Sequence, residues 1–446
     1  MMAYNVVTVG NAYRKRAIQR RSNRIQRKGN LFKMTNFKGI DVTSEIKKLN
    51  KVMLHRPGKE LENLTPDTLP ELLFDDIPFL KVAQEEHDAF AQILTNQGAE
   101  VVYLEDLMAE TLDAHPEIKD EFLRKWIKEA GIYTPLWTEK VYNWLTENYK
   151  NNKDLVVKTM EGIQLKEIGA DGSTSLVDLI SEPSKLIADP MPNLYFTRDP
   201  FGSIGCGASL NQMRFPTRNR ETIYADYIFK FHPDFAGVAD HLYTKRTDKF
   251  YIEGGDILNL NATTLAIGIS QRTCADAIEN LARNIFADKD ATINKVLAFN
   301  IPVCRAFMHL DTVFTQLDYD KFSIHPGIMG PLEVFEITPG AQEGELAVKR
   351  MEGTPDVILA NALGIDHVEL IKCGGDDMIA ADREQWNDGS NTLAIAPGEV
   401  VVYERNEVTN ALLKEYGVKL HVMPSAELSR GRGGPRCMSM PLNRNK

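Results

Sequence analysis

From about residue 50 onward, apolar positions fall into short runs and helical stripes that alternate along the chain. The run Val52, Met53, Leu54 is stopped by Pro57 and Gly58, which predicts a strand and then a turn. Ala89, Phe90, Ile93 and Leu94 recur at helical spacing, and Gly98 marks a stop. Val101, Val102, Tyr103 and Leu104 predict the next strand. Between about 106 and 181 the pattern turns helical. Ile118, Phe122, Leu123, Trp126 and Ile127 form one stripe, with Pro116 near its start and Gly131 just past its end. Val141, Trp144, Leu145 and Tyr149 form another. This stretch predicts a small helical module inserted into an α/β body. Beyond 181 short strands and helices alternate to the end. Two stretches, Glu253-Gly254-Gly255-Asp256 and Cys373-Gly374-Gly375-Asp376, each adjoin a strand-like segment. Their recurrence suggests an internal repeat, with coincidence as the alternative.

The 446 residues are 43% hydrophobic, enough for one large core or two modest ones. No apolar run reaches the length of a membrane span, so no membrane association is expected. Five cysteines (Cys206, Cys274, Cys304, Cys373, Cys437) are scattered and odd in number. No CxxC pair and no zinc-spaced histidine pair occurs, so reduced cysteines in a cytoplasmic protein are expected, without metal.

Charge separates the first 33 residues from the rest. They hold nine Lys and Arg and no acid; the remainder has 43 basic against 62 acidic residues, a net of −19. An acidic body argues against nucleic acid as a partner and suits a small cationic substrate. The basic extension, 1–33, is expected to be disordered and to carry no chemistry. It reads as a transit segment, a basic tail, or an over-extended start ahead of Met34; the last is favoured.

The segment from Leu428 to Leu442 is the most unusual. Three glycines (Gly431, Gly433, Gly434) and three arginines (Arg430, Arg432, Arg436) precede Cys437. Glycines let backbone approach a ligand, and arginines favour thiolate over thiol. A basic glycine-rich tail, or a cysteine packed as a small hydrophobe, would look the same. His309 and Asp311 would share one face if their segment is a strand; a satisfied surface pair is the plainer reading. Asp199, before Pro200, is biased away from helix, and Glu253 before two glycines would pass as a turn. No serine elbow, phosphate loop or dinucleotide fingerprint is present.

Taken in order, the segments Leu54 to Gly58, Asn193 to Phe201, Glu253 to Asp256, Phe307 to Val313 and Glu427 to Leu442 resemble the arginine deiminases, a branch of the guanidine-modifying superfamily. The resemblance runs from about residue 38 onward. It implies a five-bladed α/β propeller of pseudo-fivefold ββαβ repeats, over 34–105 and 182–446, with an inserted helical bundle over 106–181. It would also make the Gly-Gly-Asp repetition expected.

The resemblance further implies that Cys437 is a nucleophile and that His309 is the acid for departing ammonia and the base for water. Glu253 would hold His309, and Asp199 and Asp311 would grip the guanidinium, whose forked donors match carboxylates. Asn193, Arg218 and Arg272 would bind the α-carboxylate, Phe196 the aliphatic stem, and Gly431 the α-amino group. Arg432 would be a mobile arginine near the cysteine. The expected reaction is hydrolysis of free L-arginine to L-citrulline and ammonia, first step of arginine catabolism, with no cofactor; homo-oligomerisation is left open. Competing readings are an agmatine deiminase, an amidinotransferase, a methylarginine hydrolase, and a non-catalytic arginine-binding protein on the same fold.

Overall fold

Apolar runs flanked by turn residues become short strands, and the first of them sets the plan. In the computed structural model, which describes residues 37–169, 186–330 and 332–444, β1 (Leu49–Leu54) is buried throughout. Helix α1 (Leu80–Asn96) returns the chain to β2 (Glu100–Tyr103), which pairs parallel with β1. Leu104, read as part of that strand, instead opens a helix.

Four helices follow: α2 (Leu104–Ala114), α3 (Lys119–Glu129), α4 (Pro135–Asn148) and α5 (Asn152–Glu161). The stripe read from the sequence becomes the buried face of α3, Phe122, Leu123, Trp126 and Ile127. Trp126 Nε1 donates to the Thr159 carbonyl at 3.1 Å, so its one polar atom is satisfied. These helices share a core with Ala208, Leu210, Met440 and Leu442, which ties them to the strands. The pair β3 (Ile163–Gln164) and β4 (Leu186–Ala188) is antiparallel. The far end of the helical stretch, at 181, and the basic extension 1–33 lie outside the described residues.

From there one order recurs. It runs β5 (Phe201–Ile204), β6 (Gly207–Leu210), α6 (Thr222–Phe231), β7 (Leu242–Thr244), then β8 (Ile257–Asn259), β9 (Thr264–Ile269), α7 (Ala275–Ala287), β10 (Lys295–Asn300). Next come β11 (Phe314–Gln316) and β12 (Lys321–Ile324), an extra hairpin β13 (Glu333–Pro339) and β14 (Leu346–Arg350), α8 (Pro355–Leu363) and β15 (Glu369–Lys372). Helix α9 (Met378–Trp386) leads to β16 (Leu393–Ala396), β17 (Glu399–Tyr403), α10 (Glu407–Glu415), β18 (Lys419–Met423) and finally β19 (Met440–Arg444).

In each unit the first strand pairs antiparallel with the second and the second pairs parallel with the third. A parallel partner needs a crossover, and the helix supplies it. The last strand completes the first unit: β19 lies antiparallel beside β1. Five ββαβ units therefore occur among the described residues, an α/β fold with no closed barrel. No helix among the described residues is long and apolar enough to cross a membrane.

Two expectations need correction. The Gly-Gly-Asp recurrence does not mark the repeat. Gly254 to Asp256 is a single 3-10 turn before the first strand of its unit, whereas Gly374 and Gly375, at φ of 70° and 73°, turn the chain after a third strand. The repeat is real, and the motif's two copies sit at different places in it. His309 and Asp311 do not lie on a strand either. Leu310–Thr312 is a 3-10 turn, fixed because Leu310 N–H donates to Asp256 Oδ1 at 2.7 Å and Thr312 Oγ1 to the His309 carbonyl at 2.7 Å.

Candidate active site

The five units each bring a polar residue to the segment that enters their first strand. Asp199 precedes β5, Glu253 precedes β8, His309 and Asp311 precede β11, Asn391 precedes β16 and Cys437 precedes β19. Repetition of one topology thus delivers residues far apart in sequence to one place. Leu73, Asn193, Phe196, Asp199, Arg218, Arg272, Met308, His309, Gly431, Arg432 and Cys437 line a cavity of about 20 Å³. That is room for about one water molecule. Glu253 and Asp311, the other two site residues read from the sequence, stand directly behind it, each fully buried.

Glycine matters here for space. A Cβ on Gly255 would stand 2.7 Å from the His309 ring, and one on Gly431 would run into the Tyr195 hydroxyl. The glycines before Cys437 therefore admit neighbouring rings as much as they admit a ligand.

His309 Nε2 and Glu253 Oε2 are 2.8 Å apart. Burial disfavours a charged imidazole, but Asp199 and the bond to Glu253 outweigh it and raise the His309 pKa to about 9. Burial likewise opposes the Glu253 charge, and Arg272, His309 and Arg218 overcome it, holding Glu253 at about 2. The pair is imidazolium and carboxylate near neutrality.

Cys437 departs from the expectation of a thiolate favoured by arginines. Burial, then Asp311 and Asp199, push its pKa well above the ordinary thiol value. Each nearby arginine is committed elsewhere. Arg430 pairs with Asp76 and Glu427, and Arg432 stacks 3.4 Å over the Trp386 ring. Arg436 donates to Glu45 Oε2 at 3.0 Å and Asp311 Oδ2 at 2.7 Å. The Cys437 sulfur lies 3.6 Å from that same Asp311 oxygen. These surroundings hold Cys437 as a thiol.

Arg218 and Arg272, read as a carboxylate clamp, both reach the cavity, and both hold acids. Arg218 Nη1 donates to Asp199 Oδ2 at 2.7 Å, and its Nε and Nη2 donate to Glu221. Arg272 Nη1 reaches Glu253 Oε2 at 3.3 Å and lies over Phe215; its Nε has no partner. Asn193 Nδ2 donates to the Leu72 carbonyl at 2.8 Å. Asp199 Oδ1 and Asp311 Oδ1 are buried with no hydrogen-bond partner among the protein atoms. Two orphaned carboxylate oxygens in one buried site are costly unless a cation completes them.

Asp199, Glu253 and His309 are close enough to suggest a metal site. Their charge is already balanced by Arg218 and Arg272, and a histidine at imidazolium has no lone pair to give, so the three do not suit a metal ion.

The sequence reading missed two residues. Asn391 accepts the Cys437 N–H at 3.0 Å and donates to the Asp311 carbonyl at 3.1 Å, fixing both loops. Its position before a first strand is the signal that would have found it. Arg436 bridges Glu45, Asp311 and the Ile257 carbonyl from full burial. Removing one partner of a buried pair costs about 3–5 kcal/mol. Arg436→Ala, which strands two carboxylates, is expected to lose at least that in urea unfolding. Arg436→Lys should recover only part, because a point charge cannot span three acceptors. Unchanged stability in Arg436→Ala would show that the bridge is not structural.

A buried thiol beside an imidazolium–carboxylate pair and two unpartnered carboxylate oxygens defines the class: a cysteine site whose open acceptors suit a cationic ligand. A model of the arginine deiminase family matches residues 70–444. An arginine deiminase of Treponema denticola is 58% identical over 91% of this chain and 98% of its own, and one of Clostridium perfringens is 55% identical over 92% and 99%. The chain belongs to the arginine deiminase family. Among solved structures, an amidinotransferase from Microseira wollei shares the fold, with a TM-score of 0.51 and 15% identity over 91% of this chain and 98% of that one.

Proposed function

We infer that the chain hydrolyses free L-arginine to L-citrulline and ammonia through a covalent intermediate on Cys437. The observation that carries this reading is the pair of unpartnered oxygens, Asp199 Oδ1 and Asp311 Oδ1, beside a thiol and an imidazolium. A guanidinium between them would satisfy both and bring its carbon to sulfur. It would also reverse the electrostatics at Cys437, since a positive charge offsets the carboxylates that hold the proton on sulfur.

The bookkeeping then closes. The thiol releases its proton to solvent water as the cation binds, and sulfur bonds to the guanidinium carbon. The C–N bond breaks, and the departing nitrogen takes a proton from His309. Neutral His309 next accepts a proton from water as the oxygen bonds to the same carbon. The C–S bond breaks as the proton on the newly bonded oxygen passes to the departing sulfur, and citrulline leaves with both the thiol and the imidazolium restored. Glu253 holds His309 in place throughout. We further propose that the five ββαβ units close as the blades of a propeller around this site, over 34–105 and 182–446. The helical stretch 106–181 would be an insertion into it, and the enzyme would act in the cytoplasm without cofactor.

Assay of citrulline and ammonia from free arginine tests the reaction; absence of either product from purified protein would refute it. A second measurement tests the charge state. The His309 imidazole should titrate near pH 9 in the free protein, and Glu253→Gln should move the midpoint toward the ordinary 6.5, followed by histidine NMR. A raised imidazole pKa contributes stability that is complete below about 6.5 and is lost as pH rises through about 9. Glu253 works in the opposite sense: its contribution is present above 4.5 and lost as pH falls through about 2. A midpoint near 6.5 in the unaltered protein would overturn the assignment.

A further inference from the structure

Each first strand is entered from the active site, so the turn that follows it lies at the strand's other end. For the three residues of β8 that is about 10 Å away. There the turns after β8 and β11 meet the segment 43–47 and the end of α8 around a cavity of about 310 Å³. Small-molecule sites begin at about this size, roughly 300–1,000 Å³. The cavity shares no lining residue with the substrate cavity.

The lining combines shape, charge and an open acceptor. Ile46, Leu260, Leu363 and Ile365 supply an apolar wall, and Tyr319 offers an exposed ring. Among the described lining residues Lys47 alone is charged. Gln316 is only 3% exposed, yet its Oε1 has no hydrogen-bond partner among the described residues. A buried acceptor left open is costly, and a donor on a ligand would complete it. Three buried arginines, Arg198, Arg436 and Arg444, stand around Glu45 just behind segment 43–47. That surplus of buried cations favours an anion in the cavity.

The same wall reaches the chemistry. Glu45 N–H donates to the Asn259 carbonyl at 2.7 Å, and Asn259 N–H donates to Glu45 Oε1 at 3.1 Å. Glu45 Oε2 accepts from Arg436 Nε at 3.0 Å, and Arg436 Nη1 donates to Asp311 Oδ2 at 2.7 Å. That oxygen is the one 3.6 Å from the Cys437 sulfur.

We propose that this cavity is a second small-molecule site, for an anion carried on a flat apolar body with an N–H donor, and that its occupancy is felt at Asp311. The anion meets Lys47, the flat body packs between Tyr319 and the apolar wall, and the N–H completes Gln316. An occupant braces segment 43–47, so that Glu45 holds Arg436 on Asp311 and the guanidinium site is set before arginine arrives. A phosphate or a carboxylate can supply the charge.

Equilibrium dialysis of the full chain against adenosine monophosphate, indole-3-acetate and neutral adenosine tests the site. One molecule of either anion is expected per chain, and the tighter of the two identifies the anionic group. Adenosine should bind at least about tenfold more weakly than its monophosphate. Lys47→Ala should weaken both anions by about tenfold or more and leave adenosine unchanged. Gln316→Met, which removes the acceptor at similar length, should weaken all three. Neither residue lines the substrate cavity, and thermal melting of each variant reports that it folds. The coupling is measured in Cys437→Ala, where arginine binds without being consumed. There arginine should tighten the anion by about fivefold or more, and the anion should tighten arginine by the same factor, because linkage is reciprocal. Failure of both anions to bind, or binding that Lys47→Ala and Gln316→Met leave intact, would overturn the proposal. So would arginine that excludes the anion or leaves its affinity unchanged.

Discussion

Cys437→Ala is expected to form no detectable citrulline, a loss of at least about 10⁴-fold in kcat, on the scale seen when a nucleophile is removed from a concerted catalytic group. The side chain is small and packed among Phe74, Tyr195 and Met438, so the fold should tolerate the change. Arginine should still raise the variant's melting temperature, because the cation-binding oxygens of Asp199 and Asp311 remain. Serine should not rescue: its hydroxyl is far harder to ionise in a site where burial and two carboxylates already push a thiol upward. None of the other four cysteines lines the cavity. Cys373 sits under Thr409 with its pKa pushed up to about 11 by burial, and Cys304 is exposed. Replacing each of the four by serine or alanine should leave most activity. If one of them abolished turnover, or if Cys437→Ala retained it, the nucleophile would be misassigned.

What the sequence made legible is what short-range physics determines. The run at Val52 and the stripe from Phe122 to Ile127 became β1 and α3 because period and flanking Pro or Gly act within a few residues. Only the segment around Cys437 was unusual by itself; Asp199, Glu253, His309 and Asp311 looked ordinary one at a time and were picked out by the order of their segments along the chain. The charge state was not legible. Arg432 and Arg436 stand five residues and one residue before Cys437, but one stacks on Trp386 and the other bridges Glu45 and Asp311, partners distant in sequence, and burial beside two carboxylates outweighs them. The strand considered for His309 and Asp311 is absent for a similar reason. Their 3-10 turn is held by Asp256, which lies 54 residues earlier in the chain. Gly-Gly-Asp was misleading because three residues carry too little information to separate a turn before a first strand from one after a third. The true repeat is written in connectivity, which three-residue identity does not report.

Arginine is expected to exceed agmatine in kcat/KM by about a hundredfold or more, given roughly 1.5–3 kcal/mol for each charge-assisted hydrogen bond and about tenfold per 1.4 kcal/mol. The family resemblance made Arg218 and Arg272 partners of the α-carboxylate, which agmatine would leave without that partner. The structure changes that account, since both are already balanced by acids. The two are not equally committed. Arg218 spends three donor nitrogens on Asp199 and Glu221, while Arg272 holds Glu253 at only 3.3 Å and keeps a buried Nε free. Arg272 is therefore the arm with donors to offer a carboxylate, and Arg272→Ala should narrow the arginine-to-agmatine ratio most. Agmatine serves as the internal control. Loss of the Arg272 charge beside Glu253 would alter the His309 pair for both substrates alike, whereas loss of the clamp penalises arginine alone. Lysine should substitute poorly, because it cannot present a planar fork. Equal activity on agmatine, or a fall in Arg272→Ala that is the same for both substrates, would mean that Arg272 serves Glu253 and that another group selects the substrate.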